Sequence, residues 1–123
     1  MKVLVVDDIF TNRLLLSEII EELGYKCIHA ENGREALRVL ENQKVDIVLM
    51  DIEMPIMNGL ETTRFIRTKF NQMGETIPII ALTAHNPSMF FEDFADVGFN
   101  ELLTKPYSIE KVSEIIQSTF NKD

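Results

Sequence analysis

The chain holds a single cysteine, Cys27, so no internal disulfide framework staples it, and that scarcity suits a reducing, cytoplasmic setting. Cys27 itself reads as a small strand residue. The two histidines, His29 and His85, fall on unrelated segments, and without a Cys/His cluster no structural zinc site is expected. Basic residues are outnumbered: 12 Lys and Arg against 20 Asp and Glu leave a net charge of −8, which argues against a nucleic-acid surface and favours solubility. No apolar run approaches the roughly 20 residues of a membrane span, so no membrane segment is expected. Met1-Lys2-Val3 leads straight into an apolar run, with no sign of a targeting leader. There is no Gly/Ser linker, low-complexity tract or repeat. What remains is 123 residues, 46% of them hydrophobic, which fits one domain over residues 1–123 with a core of its own.

Short apolar runs alternate with helical patterns. Runs at 3–6, 45–50, 78–82 and 101–104 read as buried strands, and a weaker one at 25–30 as an edge strand. Leu16, Ile19, Ile20 and Leu23 stand at helical spacing, with Gly24 as a stop. Ala36, Leu37 and Leu40 form a second stripe behind Asn32 and Glu35, which resemble a capping box. Leu60, Thr63, Ile66 and Phe70 form a third. Phe90, Phe94 and Val97, closed by Gly98, form a fourth. Ile109, Val112, Ile116 and Phe120 form a fifth, with Ser108 as its N-cap. Five strands alternating with five helices predict an α/β fold, a parallel sheet covered on both faces and wound by right-handed crossovers. Ligands of such sheets lie beyond the carboxyl ends of the strands.

Those ends carry the chemistry. Asp7 and Asp8 close the first run, Asp51 closes Val45–Met50, and Thr83 and Lys105 close two later ones. Carboxylates gathered in one place need a cation, and hard oxygen ligands in a loosely enclosed site favour Mg²⁺. A carboxylate is also a nucleophile that yields an aspartyl phosphate. A metal, the point charge of Lys105 and the hydroxyl of Thr83 offset the charge that meets Asp51 during such an attack. Taken singly, each residue has a plainer role. Asp7 and Asp8 suit a helix or turn cap, Asp51 a turn residue, Thr83 a cap and Lys105 a solvated surface lysine. Their joint occurrence at matching strand ends favours phosphoryl transfer to Asp51.

Val5-Val6-Asp7-Asp8, Asn12-Arg13, Met50-Asp51-Ile52-Glu53-Met54-Pro55 with Met57-Asn58-Gly59, Ala81-Leu82-Thr83-Ala84 and Leu103-Thr104-Lys105-Pro106 follow one another in the order of a known module. The chain resembles the receiver domain of bacterial two-component response regulators over essentially its whole length. In motif style it is most similar to receivers of hybrid sensor kinases. The resemblance implies a flavodoxin-like sheet of order 2-1-3-4-5 and Asp51 as phosphoacceptor. It implies Mg²⁺ bound by Asp8, Asp51 and the Glu53 carbonyl, with Asp7 acting largely through water. It further implies that Lys105 binds the phosphoryl group, that the Lys105–Pro106 bond is cis, and that Thr83 moves on activation. The donor would be a histidine kinase or a histidine phosphotransfer protein. The only catalysis would be autophosphorylation and autodephosphorylation, with Glu53 and His85 near the hydrolytic water. Leu102 departs from the family, which often carries an aromatic switch residue there. The fourth helix, with Phe91 partly exposed, and the last strand and helix would form the surface read by partners or by a second copy. No DNA-binding or catalytic output segment is recognised after residue 120, as in a stand-alone regulator or a receiver excised from a larger protein. Three rivals stand beside this reading. One is a Mg²⁺ phosphohydrolase, with Glu53 as the second acid. Another is a nucleotide- or flavin-binding domain, disfavoured by the glycine-free turn Asp7-Asp8-Ile9-Phe10-Thr11. The third is a degenerate scaffold, disfavoured by the intact acidic set.

Overall fold

The computed structural model describes residues 1–54, 57–69, 77–84 and 97–120. Along them run β1 (Lys2–Val6), α1 (Phe10–Glu22), β2 (Lys26–Ala30), α2 (Gly33–Asn42), β3 (Ile47–Asp51), α3 (Gly59–Lys69), β4 (Ile79–Thr83), β5 (Glu101–Thr104) and a C-terminal helix, α4 (Ile109–Phe120). The strands form one parallel sheet in the order β2-β1-β3-β4-β5. The chain reverses its direction of growth between β1 and β3, which is where doubly wound sheets open their ligand crevice.

Side chains alternate across each strand, and the two faces fill separately. Val3 and Val5, with Ile47, Leu49, Ile80 and Leu82, pack against Leu16, Ile19 and Ile20 of α1 and Val112 and Ile116 of the C-terminal helix. Leu4, Val6, Val48, Met50 and Ile79 pack against Ala36 and Leu40 of α2 and Ile66 of α3. The expectation of a sheet covered on both faces is met. The weak run at 25–30 is the β2 edge strand.

Local signals act much as their chemistry predicts. Helix α1 ends in a Schellman turn: the Gly24 and Tyr25 N–H groups donate to the Glu21 and Ile20 carbonyls, with Gly24 at φ +92°. Asn32 Oδ1 accepts from the Glu35 N–H at 3.0 Å, but the return bond of the expected capping box lands one residue early, on the Glu31 N–H. Ser108 Oγ accepts from the Lys111 N–H, as an N-cap should.

Some boundaries differ. The run at 45–50 starts pairing at Ile47 and extends to Asp51, because Asp46 instead ties the start of β1, its carboxylate accepting from the Lys2 N–H at 2.8 Å. Ile109 was expected in the buried stripe of the last helix. It is 58% exposed, because burial of that helix begins one turn later, at Val112. The fourth predicted helix, with Phe90, Phe91 and Phe94, lies outside the described residues, as do Phe70 and His85. Four helices are therefore described where five were expected. Val97, at the end of that segment, is buried. Among the described residues, no helix is long and apolar enough to cross a membrane.

Candidate functional site

Asp7 follows β1 directly and is fully buried. Its Oδ1 accepts from the Ile9 N–H at 2.9 Å and its Oδ2 from the Asn12 amide at 3.3 Å. Arg13, one residue on, is buried as well and donates to the Asp7 carbonyl at 2.7 Å, with its other terminal nitrogen 3.8 Å from Glu31. The Asn12-Arg13 pair thus folds the first turn of α1 back over Asp7 and fixes both its side chain and its backbone. Asp8, next in the chain, is exposed.

Asp51 ends β3, the central strand between β1 and β4, and is 1% exposed. Its Oδ1 accepts from the Glu53 N–H at 3.0 Å and stands 3.3 Å from the Lys105 ammonium. Carboxylate oxygens of Asp7, Asp8 and Asp51 all lie within 4.8 Å of one another. Burial is the largest influence on Asp51. The Glu53 N–H opposes it, Asp7 adds to it and Lys105 opposes it, leaving the Asp51 pKa raised to about 6. The metal-free site therefore concentrates more negative charge than one lysine offsets.

Lys105 stands just past β5, and its N–H donates to the Thr83 carbonyl at 2.8 Å, so the β4–β5 ladder carries the lysine to the mouth of the site. The Lys105–Pro106 bond is cis. Thr83 ends β4, one strand from Asp51, and is 1% exposed. The Glu53 side chain is exposed, and the contact this residue makes with Asp51 is through its backbone. Gly59 opens α3 beneath the Asp51 turn. A Cβ there would collide with the Asp51 carbonyl and the Ile52 backbone, so glycine lets the helix start press against the strand end.

Asp7, Asp8, Asp51, Glu53, Thr83 and Lys105 thus stand at or just past the carboxyl ends of adjacent strands, and the three aspartates are brought together, while His85 lies outside the described residues. Sequence reading missed three contributors. Arg13 was noted only as part of a motif, yet it is a buried strut. Tyr107 places a buried hydroxyl behind the site; its only sequence signal was an aromatic residue two positions after Lys105. Beside half-buried Leu102, the small cluster of Ile52 and Ala81 is completed by Leu60 and Phe99, so an aromatic ring is supplied from three residues upstream.

Known proteins bear the same pattern. The family model for the response regulator receiver domain matches residues 3–117. A probable chemotaxis protein CheY of Rhizobium etli is 36% identical over 120 residues, covering 97% of this chain and 92% of its own. The sensor histidine kinase GacS of Pseudomonas protegens is 34% identical over 116 residues; the match covers 94% of this chain, which spans 13% of the kinase's length. The receiver domain of the sensor histidine kinase PA1611 of Pseudomonas aeruginosa, solved with a magnesium ion in its active site cleft, superposes with a TM-score of 0.87 at 31% identity over 98% of both chains. A sheet of order 2-1-3-4-5, an acidic cluster at its switch point and matches that run nearly end to end lead to one conclusion: this chain belongs to the response regulator receiver domains of two-component signalling, which are signalling modules and not metabolic enzymes.

Proposed function

We propose that the 123 residues act as one phosphoaccepting unit, in which Asp51 takes a phosphoryl group from a phosphohistidine on a histidine kinase or a histidine phosphotransfer protein. The observation that carries this reading is the placement of three carboxylates within 4.8 Å with a lysine ammonium 3.3 Å from one of them. The donor set fits Mg²⁺: hard oxygens, anionic excess, and an exposed Asp8 that leaves room for water. Asp8, Asp51 and the Glu53 carbonyl would hold the ion, with Asp7 facing its water shell. Bound there, Mg²⁺ supplies charge neutralisation for the phosphoryl oxygens.

The chain's own groups do the rest. The Glu53 N–H and Lys105 orient one Asp51 oxygen, which leaves the other to attack phosphorus in line with the departing imidazole. Lys105 then pairs with the phosphoryl group, and Thr83 donates to it. The repacking that follows involves Leu102 and its neighbour Phe99. The surface read by a second copy or another partner comprises β5 and the C-terminal helix. A groove of about 510 Å³ lined by Leu102, Lys111, Glu114 and Ile115 belongs to it. Ile9, Phe10, Leu14 and Leu15 stand exposed on and just before α1, beside the acidic cluster, and offer a protein donor an apolar footing. The module works in the cytoplasm, makes no direct contact with nucleic acid, and its turnover is limited to its own phosphorylation and slow dephosphorylation.

Incubation with a small phosphodonor and Mg²⁺ should add one base-labile phosphoryl group, located at Asp51 by peptide mass spectrometry. Full labelling of Asp51→Asn would show that another residue is the acceptor.

A further inference from the structure

Arg13 carries a guanidinium into the interior, at 6% exposure, for few partners. Its Nε is buried with no hydrogen-bond partner. One terminal nitrogen stands 3.8 Å from Glu31, whose side chain is 65% exposed, and an ion pair of that kind is worth little. Its one close bond is the 2.7 Å donation to the Asp7 carbonyl. Burying a charge for a single neutral acceptor is costly. That acceptor belongs to the peptide unit joining Asp7 to Asp8, which is planar and turns as one piece. The unit before it is already held, because the Asp7 N–H donates to the Ala30 carbonyl of β2 at 3.2 Å. The Asp7 carboxylate has two bonds of its own, from Ile9 and Asn12. Among the described residues, the exposed Asp8 carboxylate accepts none, so its direction follows from the peptide that Arg13 holds. Two neighbouring carboxylates, Asp7 and Asp51, repel it. The Phe10 ring, one helical turn before Arg13, lies 5.5 Å from the guanidinium and is itself 62% exposed.

We propose that Arg13 is a positioning residue for cation binding: it locks the Asp7–Asp8 peptide so that the Asp8 carboxylate stays turned toward Asp51 against their mutual repulsion, and the Phe10 ring holds the guanidinium in place. The inference rests on the Mg²⁺ reading of the acidic cluster. With the lock, the ion meets a site already arranged. Without it, part of the binding free energy goes into ordering Asp8.

The test is calorimetric Mg²⁺ titration of Arg13→Lys and Phe10→Ala, each beside thermal unfolding in chelator. Lysine keeps the positive charge, so its repulsion of Mg²⁺ is retained, but an ammonium on a flexible stem does not fix a peptide plane. Arg13→Lys should weaken Mg²⁺ about three- to tenfold. Phe10→Ala, at an exposed position, should leave the unfolding temperature level and weaken Mg²⁺ about two- to fivefold. In the Arg13→Lys background it should weaken Mg²⁺ no further, since the ring acts through the guanidinium. Mg²⁺ affinity equal to the parent's in Arg13→Lys, with only the unfolding temperature lowered, overturns the inference and leaves Arg13 a purely structural strut. Should Arg13→Lys fail to fold, unchanged affinity in Phe10→Ala overturns it instead. A parent protein that binds no Mg²⁺ overturns the proposed function and this inference together.

Discussion

At the scale of single residues, Asp51 shows most clearly how function is set against stability. Its pKa is about 6 in the folded, metal-free protein against 3.8 for the ordinary side chain. The folded state therefore holds this proton more tightly than the unfolded chain does. Stability from Asp51 is fully present below about pH 4 and is lost as pH rises through 6. Asp51→Asn should stabilise the chelated protein at neutral pH, by at most about 3 kcal/mol, with the gain vanishing toward pH 4. Unfolding temperatures of both proteins across that range decide the matter, and superimposable curves at neutral pH would refute it. Mg²⁺ binding should weaken correspondingly as pH falls below 6. Of the remaining carboxylates, Asp8→Asn should weaken Mg²⁺ more than Asp7→Asn, and metal titrations giving the reverse ranking would dismiss Asp8 as the direct ligand. Cys27 is a quieter case. Burial, and then Glu21, pushes its thiol up to about 12, so little thiolate forms at pH 8 and alkylation should be far slower than for a free thiol. The acidic residues and Lys105 were legible in the sequence because each ends an apolar run. Tyr107 and Arg13 were not, because what matters in each is the direction of one buried polar atom, which no spacing encodes.

At the scale of elements, the connections are held by a few polar clamps. Arg67 of α3 donates to the Gly98 carbonyl at 2.8 Å, the Ile77 carbonyl at 2.7 Å and Asn100 Oδ1 at 2.7 Å. Asn100 in turn accepts from the Ile79 N–H at 2.8 Å. One guanidinium thus joins α3 to the approaches of β4 and β5. Its fixed fork suits three acceptors, which an ammonium on a flexible stem does not. Arg67→Lys should cost on the order of 2 kcal/mol, measured by denaturant titration; an unchanged midpoint would show the clamp to be idle. Asn32→Ala should cost about 1 kcal/mol through loss of the α2 cap. Elements themselves were easy to read where local and tertiary preferences agree, as in Val3–Val6 or Leu16–Ile20. Reading failed where a polar contact set the boundary, as Asp46 does for β3, or where an apolar residue sits in a helix's first turn before it meets the sheet, as Ile109 does. Arg67 gave no warning at all, since in sequence it is one more charged residue on an amphipathic helix.

At the scale of the whole molecule, two cores back one sheet, and the sheet gathers the ends of strands distant in sequence. That architecture follows from runs too apolar to show one solvated face, and for this reason fold and site were read together: the same strand ends terminate the hydrophobic runs and carry the carboxylates. The strand order adds a consequence expressed in time. β3 is hydrogen-bonded on both sides, by β1 and by β4, whereas β5 is paired with β4 alone. The amides of Leu49 and Met50 should exchange with deuterium only when the entire protein opens, and those of Leu102 and Leu103 through smaller and more frequent openings. On the proposed assignment the nucleophile is thus mounted on an interior strand and its lysine at the end of an edge strand. Rarer opening of β3 would hold Asp51 in place while more frequent opening of β5 lets Lys105 swing away and return, and the interval between those excursions would set how often the pocket can admit or release a charged group.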